Sequence, residues 1–216
     1  MAGKKEISEA VIRRLPKYCR HLRDLEQAGV MRISSSELGA RMGLTSSQIR
    51  QDLNCFGGFG QQGYGYHVPT LSEAVGRILG LDKRYNMVVV GAGNIGQALT
   101  GYTRFQSEGF VLRGLFDVDP NLVGSAIKGM TVRHVDELPA FAEHTGIDVG
   151  VIATPRAAAQ QTADLLLACG ARSICNFAPV DVKCGDVPVE NIHLSDALQM
   201  LSYHLGGGSA RVEQDR

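Results

Sequence analysis

Residues 87–99, MVVVGAGNIGQAL, place an apolar, β-branched run directly before three glycines at G-x-G-x-x-G spacing and a helix-forming run directly after them. A buried strand that turns so sharply into a helix points to the first βαβ unit of a dinucleotide-binding fold. Gly91 would permit the tight turn. Gly93 would remove a side chain so that backbone amides can approach a pyrophosphate, and Gly96 would let helix and strand pack closely. Ala92, Asn94 and Ile95 fill the loop and open the helix, whose free amides carry partial positive charge toward the phosphates. Asp117 ends the next apolar run, 26 residues after Gly91, where a carboxylate can accept hydrogen bonds from ribose hydroxyls. A 2′-phosphate would meet Asp117 and Asp119 with no arginine in FDVDP. NAD(H) is therefore expected rather than NADP(H).

The same pattern occurs earlier, in GFGQQG at residues 58–63. There it follows a helical run, SQIRQDLNCF, and precedes YGYHVP, in which aromatics alternate with glycine. This context predicts a β-hairpin turning around Gln61 and Gln62. Upstream, Leu15, Tyr18, Cys19, Leu22 and Leu25 recur at helical spacing, with Pro16 in the first turn and Gly29 at the stop. Ser34 with Glu37, Thr45 with Gln48, and Thr70 with Glu73 stand at capping-box spacing. The first two predict short helices joined by a tight turn, with Leu38, Met42, Ile49 and Leu53 facing inward. A hairpin directly after such a helix-turn-helix is a winged helix, whose second helix would enter a DNA major groove. Ser46 and Ser47 are candidates for phosphate contact, Gln48 and Gln51 for base edges, and Arg50 for phosphate or guanine. Gln61 and Gln62 form the expected wing tip.

Charge divides along the same line. Residues 1–80 carry 11 Lys/Arg against 7 Asp/Glu, and residues 81–216 carry 11 against 15. The basic excess favours a phosphate-bearing partner for the first module. No run approaches about 18 apolar residues, and MAGKKEISEA has no apolar core, so neither a membrane helix nor a signal peptide is expected. The five cysteines form no C-x-x-C pair. Free thiols in a reducing cytoplasm, with no metal site, are the simplest reading.

The second half alternates apolar strands (YNMVVVG, FVLRGLF, MTVRHV, DVGVIAT, RSICNFA) with helical runs (NIGQALTGYTRFQ, DELPAFAEHTG, PRAAAQQTADLLLACG). Such a rhythm argues for an α/β Rossmann domain with a parallel sheet covered on both faces. The expected organisation is a winged-helix DNA-binding domain at 1–80, a linker at 81–85, a Rossmann NAD(H)-binding domain at 84–193, a dimerisation helix at 194–205 and a disordered tail at 206–216. Leu194, Ala197, Leu198, Leu201 and Leu205 share one face of that helix, which suits a partner chain.

The run LPKYCRHLRDLEQAGVMRISSSELGARMGLTSSQIRQDLNCFGGFGQQGYGY, joined to VVVGAGNIGQAL, LFDVDP, IATP and NFAP, resembles the Rex family of redox-sensing transcriptional repressors. The resemblance covers residues 5 to about 205. It implies a homodimer whose winged helices bind palindromic operators and whose Rossmann domains bind NADH, releasing the operator. It also implies a final domain-swapped helix that sits between the partner's two domains. Residue by residue, it carries Gly91–Gly96 to the pyrophosphate loop, Asp117 to the ribose, Thr154 and Pro155 to the cofactor edge, and Tyr102 and Phe177 toward the nicotinamide; Val118, next to Asp117, is also expected to bind the cofactor. The family's wing tip is usually Lys-Arg where this chain has Gln61-Gln62, and the family's Ser-Tyr before the first FG is Asn54-Cys55. The family's aspartate before the last helix is His193. A neutral wing tip predicts a shallower salt dependence of DNA binding.

An NAD-dependent oxidoreductase with a fused DNA-binding domain is the alternative. It would need a proton donor or acceptor and a substrate pocket, yet the Rossmann unit uses nearly all residues from 84 to about 192 and no Tyr-x-x-x-Lys pair occurs. A nucleotide- or CoA-binding scaffold is a third reading.

Overall fold

The computed structural model of the chain describes residues 7–61, the side chain of Gln61 excepted, and 64–206. Gln62 and residues 207–216 of the expected tail lie outside the described residues. The chain divides into two compact units, with the boundary between Lys83 and Arg84.

The first unit runs α1 (Glu9–Ile12), α2 (Leu15–Gln27), β1 (Arg32–Ile33), α3 (Ser35–Met42), α4 (Ser46–Asn54), β2 (Gly60–Gln61), β3 (Gly65–His67) and α5 (Val68–Ile78). All five apolar positions expected on α2 are buried, as are Leu38, Met42, Ile49 and Leu53. They form one core with Tyr66, Val68, Leu71 and Val75. Gly43 closes α3 in the left-handed region at φ 65°, and α4 follows after a short turn. A β-carbon on Gly39 would stand 2.6 Å from the Leu44 carbonyl oxygen, so the two helices of the motif approach through a glycine.

Of the three expected capping boxes, one closes. Ser34 Oγ accepts from the Glu37 amide, and the Glu37 carboxylate accepts from the Ser34 amide. Thr45 does accept from the Gln48 amide at 3.1 Å, but the Gln48 side chain turns to Asp52 instead of back to the cap. Thr70 caps nothing. Pro69, with its preset φ, lets α5 begin at Val68, so Thr70 sits inside the first turn, where its hydroxyl pairs with His67 Nδ1. Glu73 pairs forward with Arg77.

The wing is the expected hairpin with an addition. β3 pairs antiparallel with β2 and also with β1, giving the order β1-β3-β2. Gly65 explains the glycine there: its φ is 69°, and a β-carbon would meet the Ile33 carbonyl oxygen of β1 at 2.5 Å.

The second unit holds β4 (Tyr85–Val90), α6 (Asn94–Thr100), α7 (Arg104–Ser107), β5 (Phe110–Asp117), β6 (Ala126–Ile127), β7 (Met130–His134), α8 (Leu138–Thr145), β8 (Val149–Ile152), α9 (Ala159–Ala168), β9 (Ser173–Asn176), β10 (Val189–Asn191) and α10 (Leu194–Leu205). The seven-stranded sheet has the order β10-β9-β8-β4-β5-β7-β6. Every pair is parallel except β6 with β7 at one edge. Val88 and Val90 bury into one core and Met87 and Val89 into another, as alternate residues of a strand covered on both faces must.

Two local expectations are corrected. The run after Gly93 is two helices, not one, because Gly101 ends α6 and Thr103 precedes a separate turn. Asp136 does not open α8; it lies in a 3-10 turn over Val135–Glu137, and the His134 ring accepts from the Asp136 amide. Every residue of α10 is exposed in the single chain.

Candidate nucleotide cleft and DNA-reading face

The strand order reverses about β4, which leads to β5 on one side and lies beside β8 on the other. Ligands in open α/β sheets bind at the carboxyl ends of strands at such a switch point. A cleft of about 640 Å³ lies there, lined by Gly91, Gly93, Asn94, Ile95, Asp117, Val118, Thr154 and Pro155 among others. Eight of the twelve residues expected to hold the cofactor thus come together. Ala92 and Gly96 are buried beneath them.

The three glycines differ in what constrains them. Gly91 has φ 105°, and a β-carbon would meet the Ala153 carbonyl oxygen of the neighbouring strand end at 2.5 Å. At Gly96 a β-carbon would overlap the Gly91 carbonyl oxygen, so helix and strand pack with no room for a methyl. At Gly93 a β-carbon would meet nothing within 4 Å; its bare face opens into the cleft, as close backbone approach to a phosphate requires. No side chain caps α6, because its N-cap is Gly93, so the first-turn amides remain for a ligand.

Asp117 clamps the loop it faces. Its Oδ2 accepts from the Ala92 amide at 2.5 Å, and Oδ1 accepts from the Val118 and Asp119 amides at 2.7 and 2.9 Å. Oδ2 retains acceptor capacity for a ribose hydroxyl. Across the cleft, Thr154 Oγ1 is buried and, among the described residues, without a hydrogen-bond partner. A buried hydroxyl left unpaired costs free energy that a polar ligand would recover. An open glycine face, an uncapped helix start, a ribose-level carboxylate and an unpaired hydroxyl together fit a dinucleotide. Among the described residues, no His, Lys, Tyr or Cys lines the cleft.

Tyr102 and Phe177 do not join it. Tyr102 lines a cavity of about 250 Å³ and Phe177 one of about 370 Å³; these two share Leu99, Phe105 and Phe110. Cys175 lines the larger, where burial and the nearby Glu190 charge push its thiol up to about 11. It is therefore a protonated, weakly nucleophilic side chain at neutral pH. No group of three or more His, Cys, Asp or Glu among the described residues is placed to hold a metal, and no described helix is long and apolar enough to cross a membrane.

In the first unit, Ser47, Arg50 and Gln51 are exposed on α4, and Ser46 and Gln48 are half-buried. Arg50 Nη1 donates to Ser35 Oγ at 3.1 Å, across the helix-turn-helix. The organising group is one the sequence did not mark. Asp52 is buried at 1% exposure. It accepts from Arg14 Nε and Nη2, both at 2.7 Å, from Tyr18 Oη at 3.0 Å and from Gln48 Nε2 at 2.7 Å. Burial alone pushes its carboxyl up, but the bonds from Arg14, Gln48 and Tyr18 outweigh that and hold it below the usual carboxylate range. Also unmarked was Arg32 on β1. Its guanidinium carbon lies 5.8 Å from the centre of the exposed Tyr64 ring, so a cation stands beside the wing. Only its pairing with β3, which sets Arg32 opposite His67, brings it there.

Comparisons with known proteins place the chain in a family. The model "Putative DNA-binding protein N-terminus" matches residues 6–54, and a CoA binding domain model matches residues 82–180. The chain is 52% identical over 206 residues to the redox-sensing transcriptional repressor Rex of Clostridium botulinum, covering 95% of this chain and 98% of that protein. The chain belongs to the Rex family. The Rex of Clostridium acetobutylicum is also 52% identical, over 94% of this chain and 95% of its own. A crystal structure of RSP in complex with β-NAD⁺ and operator DNA superposes with a TM-score of 0.89 at 50% identity, covering 94% of each chain. RSP in complex with β-NADH gives 0.86 at 48%, covering 94% of this chain and 95% of that one. These Rex relatives are repressors by name, and two of the RSP structures hold the nucleotide that the cleft's chemistry fits.

Proposed function

We propose that the protein is a cytoplasmic, homodimeric repressor that binds operator DNA through α4 and the wing and releases it when NADH occupies the cleft. One observation carries this reading: a winged helix and a switch-point nucleotide cleft lie on one chain that is 50% identical to RSP across 94% of its length, and RSP binds both NAD⁺ and operator DNA. Gly93 and the first turn of α6 would hold the pyrophosphate, Asp117 with Val118 the adenosine ribose, and Thr154 and Pro155 the cofactor edge. Tyr102 and Phe177 would approach the nicotinamide, which their shared apolar wall supports. NADH and NAD⁺ differ by a hydride and a positive charge, and an apolar wall disfavours the charged ring. The exposed apolar face of α10, with Leu194, Leu198, Leu201 and Leu205, would pack on the partner chain.

A ligand shifts an equilibrium only through unequal affinity for its two states. A tenfold loss of operator affinity needs a coupling of about 1.4 kcal/mol. The test is an anisotropy titration on a palindromic operator. Saturating NADH should weaken binding at least tenfold, with NAD⁺ doing much less; the opposite order overturns the reading. Asp117→Ala removes both the ribose contact and the clamp on Ala92. It should blunt the NADH response while operator binding by the ligand-free protein stays near normal. Arg50→Ala and Arg32→Ala should each lower the slope of log affinity against log salt by about one, the signature of a lost phosphate contact.

A second reading, CoA binding, rests on the domain model over residues 82–180. The 3′-phosphate of CoA would face Asp117 and Asp119, both lining the cleft. A thermal-shift panel of NADH, NAD⁺, NADPH and CoA decides: stabilisation by NADH with none by CoA supports the redox reading.

A further inference from the structure

We propose that Asp52 sets a base preference of the recognition helix by fixing which end of the Gln48 amide faces outward. The inference rests on the operator-binding reading above. Gln48 lies in the first turn of α4, with its backbone amide held by the Thr45 cap and its side-chain nitrogen donating to Asp52 Oδ1 at 2.7 Å. Exchanging oxygen and nitrogen in an amide is usually a free choice. Here it is not, because Arg14 engages both carboxylate oxygens and Tyr18 donates to one. A carboxylate in that setting is ionised and only accepts. A reversed Gln48 would place an amide oxygen against it with no proton between them.

The nitrogen is therefore turned inward, and Oε1 is left with no partner among the described residues. An outward oxygen accepts, so it reads a base that offers an amino group. In the major groove those are adenine through N6 and cytosine through N4; guanine and thymine present only acceptors on their own edges. The remaining Nε2 hydrogen would add adenine N7 as a second contact. At one base pair in each half-site, the strand facing Gln48 should carry adenine or cytosine. Asp52 touches no base; it is a positioning residue that acts through Gln48. Residues that share a helix face with Gln48, such as Gln51, have no such constraint, because no buried anion orients them.

The full-length protein, free of nucleotide, is used to select palindromic duplexes from a random-sequence pool. Single-base-pair variants of the selected half-site are then titrated by fluorescence anisotropy, with NADH binding and thermal unfolding followed for every variant. Gln48→Met keeps the side chain's length without its hydrogen bonds and should lose about tenfold of discrimination at one base pair per half-site, leaving the others unaltered. Gln48→Glu offers outward oxygens only, and should keep the wild-type base-pair preference at that position. Asp52→Asn can donate or accept, so the Gln48 amide can turn either way and the preference there should fall several-fold. An unaltered profile for Gln48→Met at every position overturns the proposal. So does a folded Asp52→Asn that keeps the wild-type preference at the position Gln48→Met affects. Should Asp52→Asn not fold, the two Gln48 variants decide alone. A wild-type protein that selects no sequence from the pool would instead sink the operator-binding reading itself.

Discussion

Gly93→Ala is expected to leave the ligand-free protein as stable as before, or slightly more so, and to weaken NADH binding tenfold or more. Gly96→Ala is expected to damage both. The motif treats these glycines alike, but their surroundings do not. A methyl on Gly93 meets no protein atom within 4 Å, and the backbone there, at φ −71°, suits any residue. Removing a glycine at a compatible position also trims the entropy of the unfolded chain, worth about 0.4–1 kcal/mol. The methyl would instead occupy the space through which amides approach a phosphate. A loss of about 1.4 kcal/mol there is tenfold in affinity. At Gly96 the methyl would overlap the Gly91 carbonyl oxygen, so α6 must move off β4. Close-packed interiors tolerate such intrusion at a cost of about 1–3 kcal/mol. Calorimetric unfolding and NADH fluorescence titration read the two quantities separately. A Gly93→Ala protein that binds NADH normally would mean that the phosphates do not pass over this loop.

Asp52→Ala should cost the first unit roughly 3 kcal/mol, since it strands the Arg14 guanidinium, the Tyr18 hydroxyl and the Gln48 amide against a buried site. Arg14 keeps 27% of its side-chain exposure, so it can partly rehydrate, which places the figure at the low end. The same network makes stability acid-dependent. The Asp52 carboxyl is held below its ordinary value in the folded protein, so the unfolded chain binds its proton more readily. Its contribution is then complete above about pH 4, the ordinary carboxylate range, and is lost as pH falls through the lower folded value. Denaturation of the wild type should show this acid loss in the first unit, and Asp52→Ala should flatten it. An equal acid slope in both proteins would assign the dependence to other carboxylates.

Much of the design was legible because it is local. The period of α2 named its five buried residues, and the strand–glycine–helix order around Gly91 placed the loop at the end of β4. The wing could be told from the nucleotide loop by what flanks each. The misses share a cause, which is competition from partners distant in sequence or from a stronger neighbour. Thr45 and Gln48 stand at the same spacing as Ser34 and Glu37, yet an ionised carboxylate outbids the cap for the Gln48 amide. Thr70 and Glu73 fail because Pro69 starts the helix earlier.

By itself, the sequence determined the two modules, the sheet type, the glycine turn and the carboxylate that ends β5. Each follows from residues within one or two elements, where backbone sterics and hydrophobic period dominate. Only the tertiary structure decided that Asp52 is buried against Arg14, 38 positions away, that Arg32 stands beside the wing, and that Tyr102 and Phe177 face cavities apart from the cleft. Those relations depend on how separate elements pack, and neither composition nor periodicity encodes a distance between them.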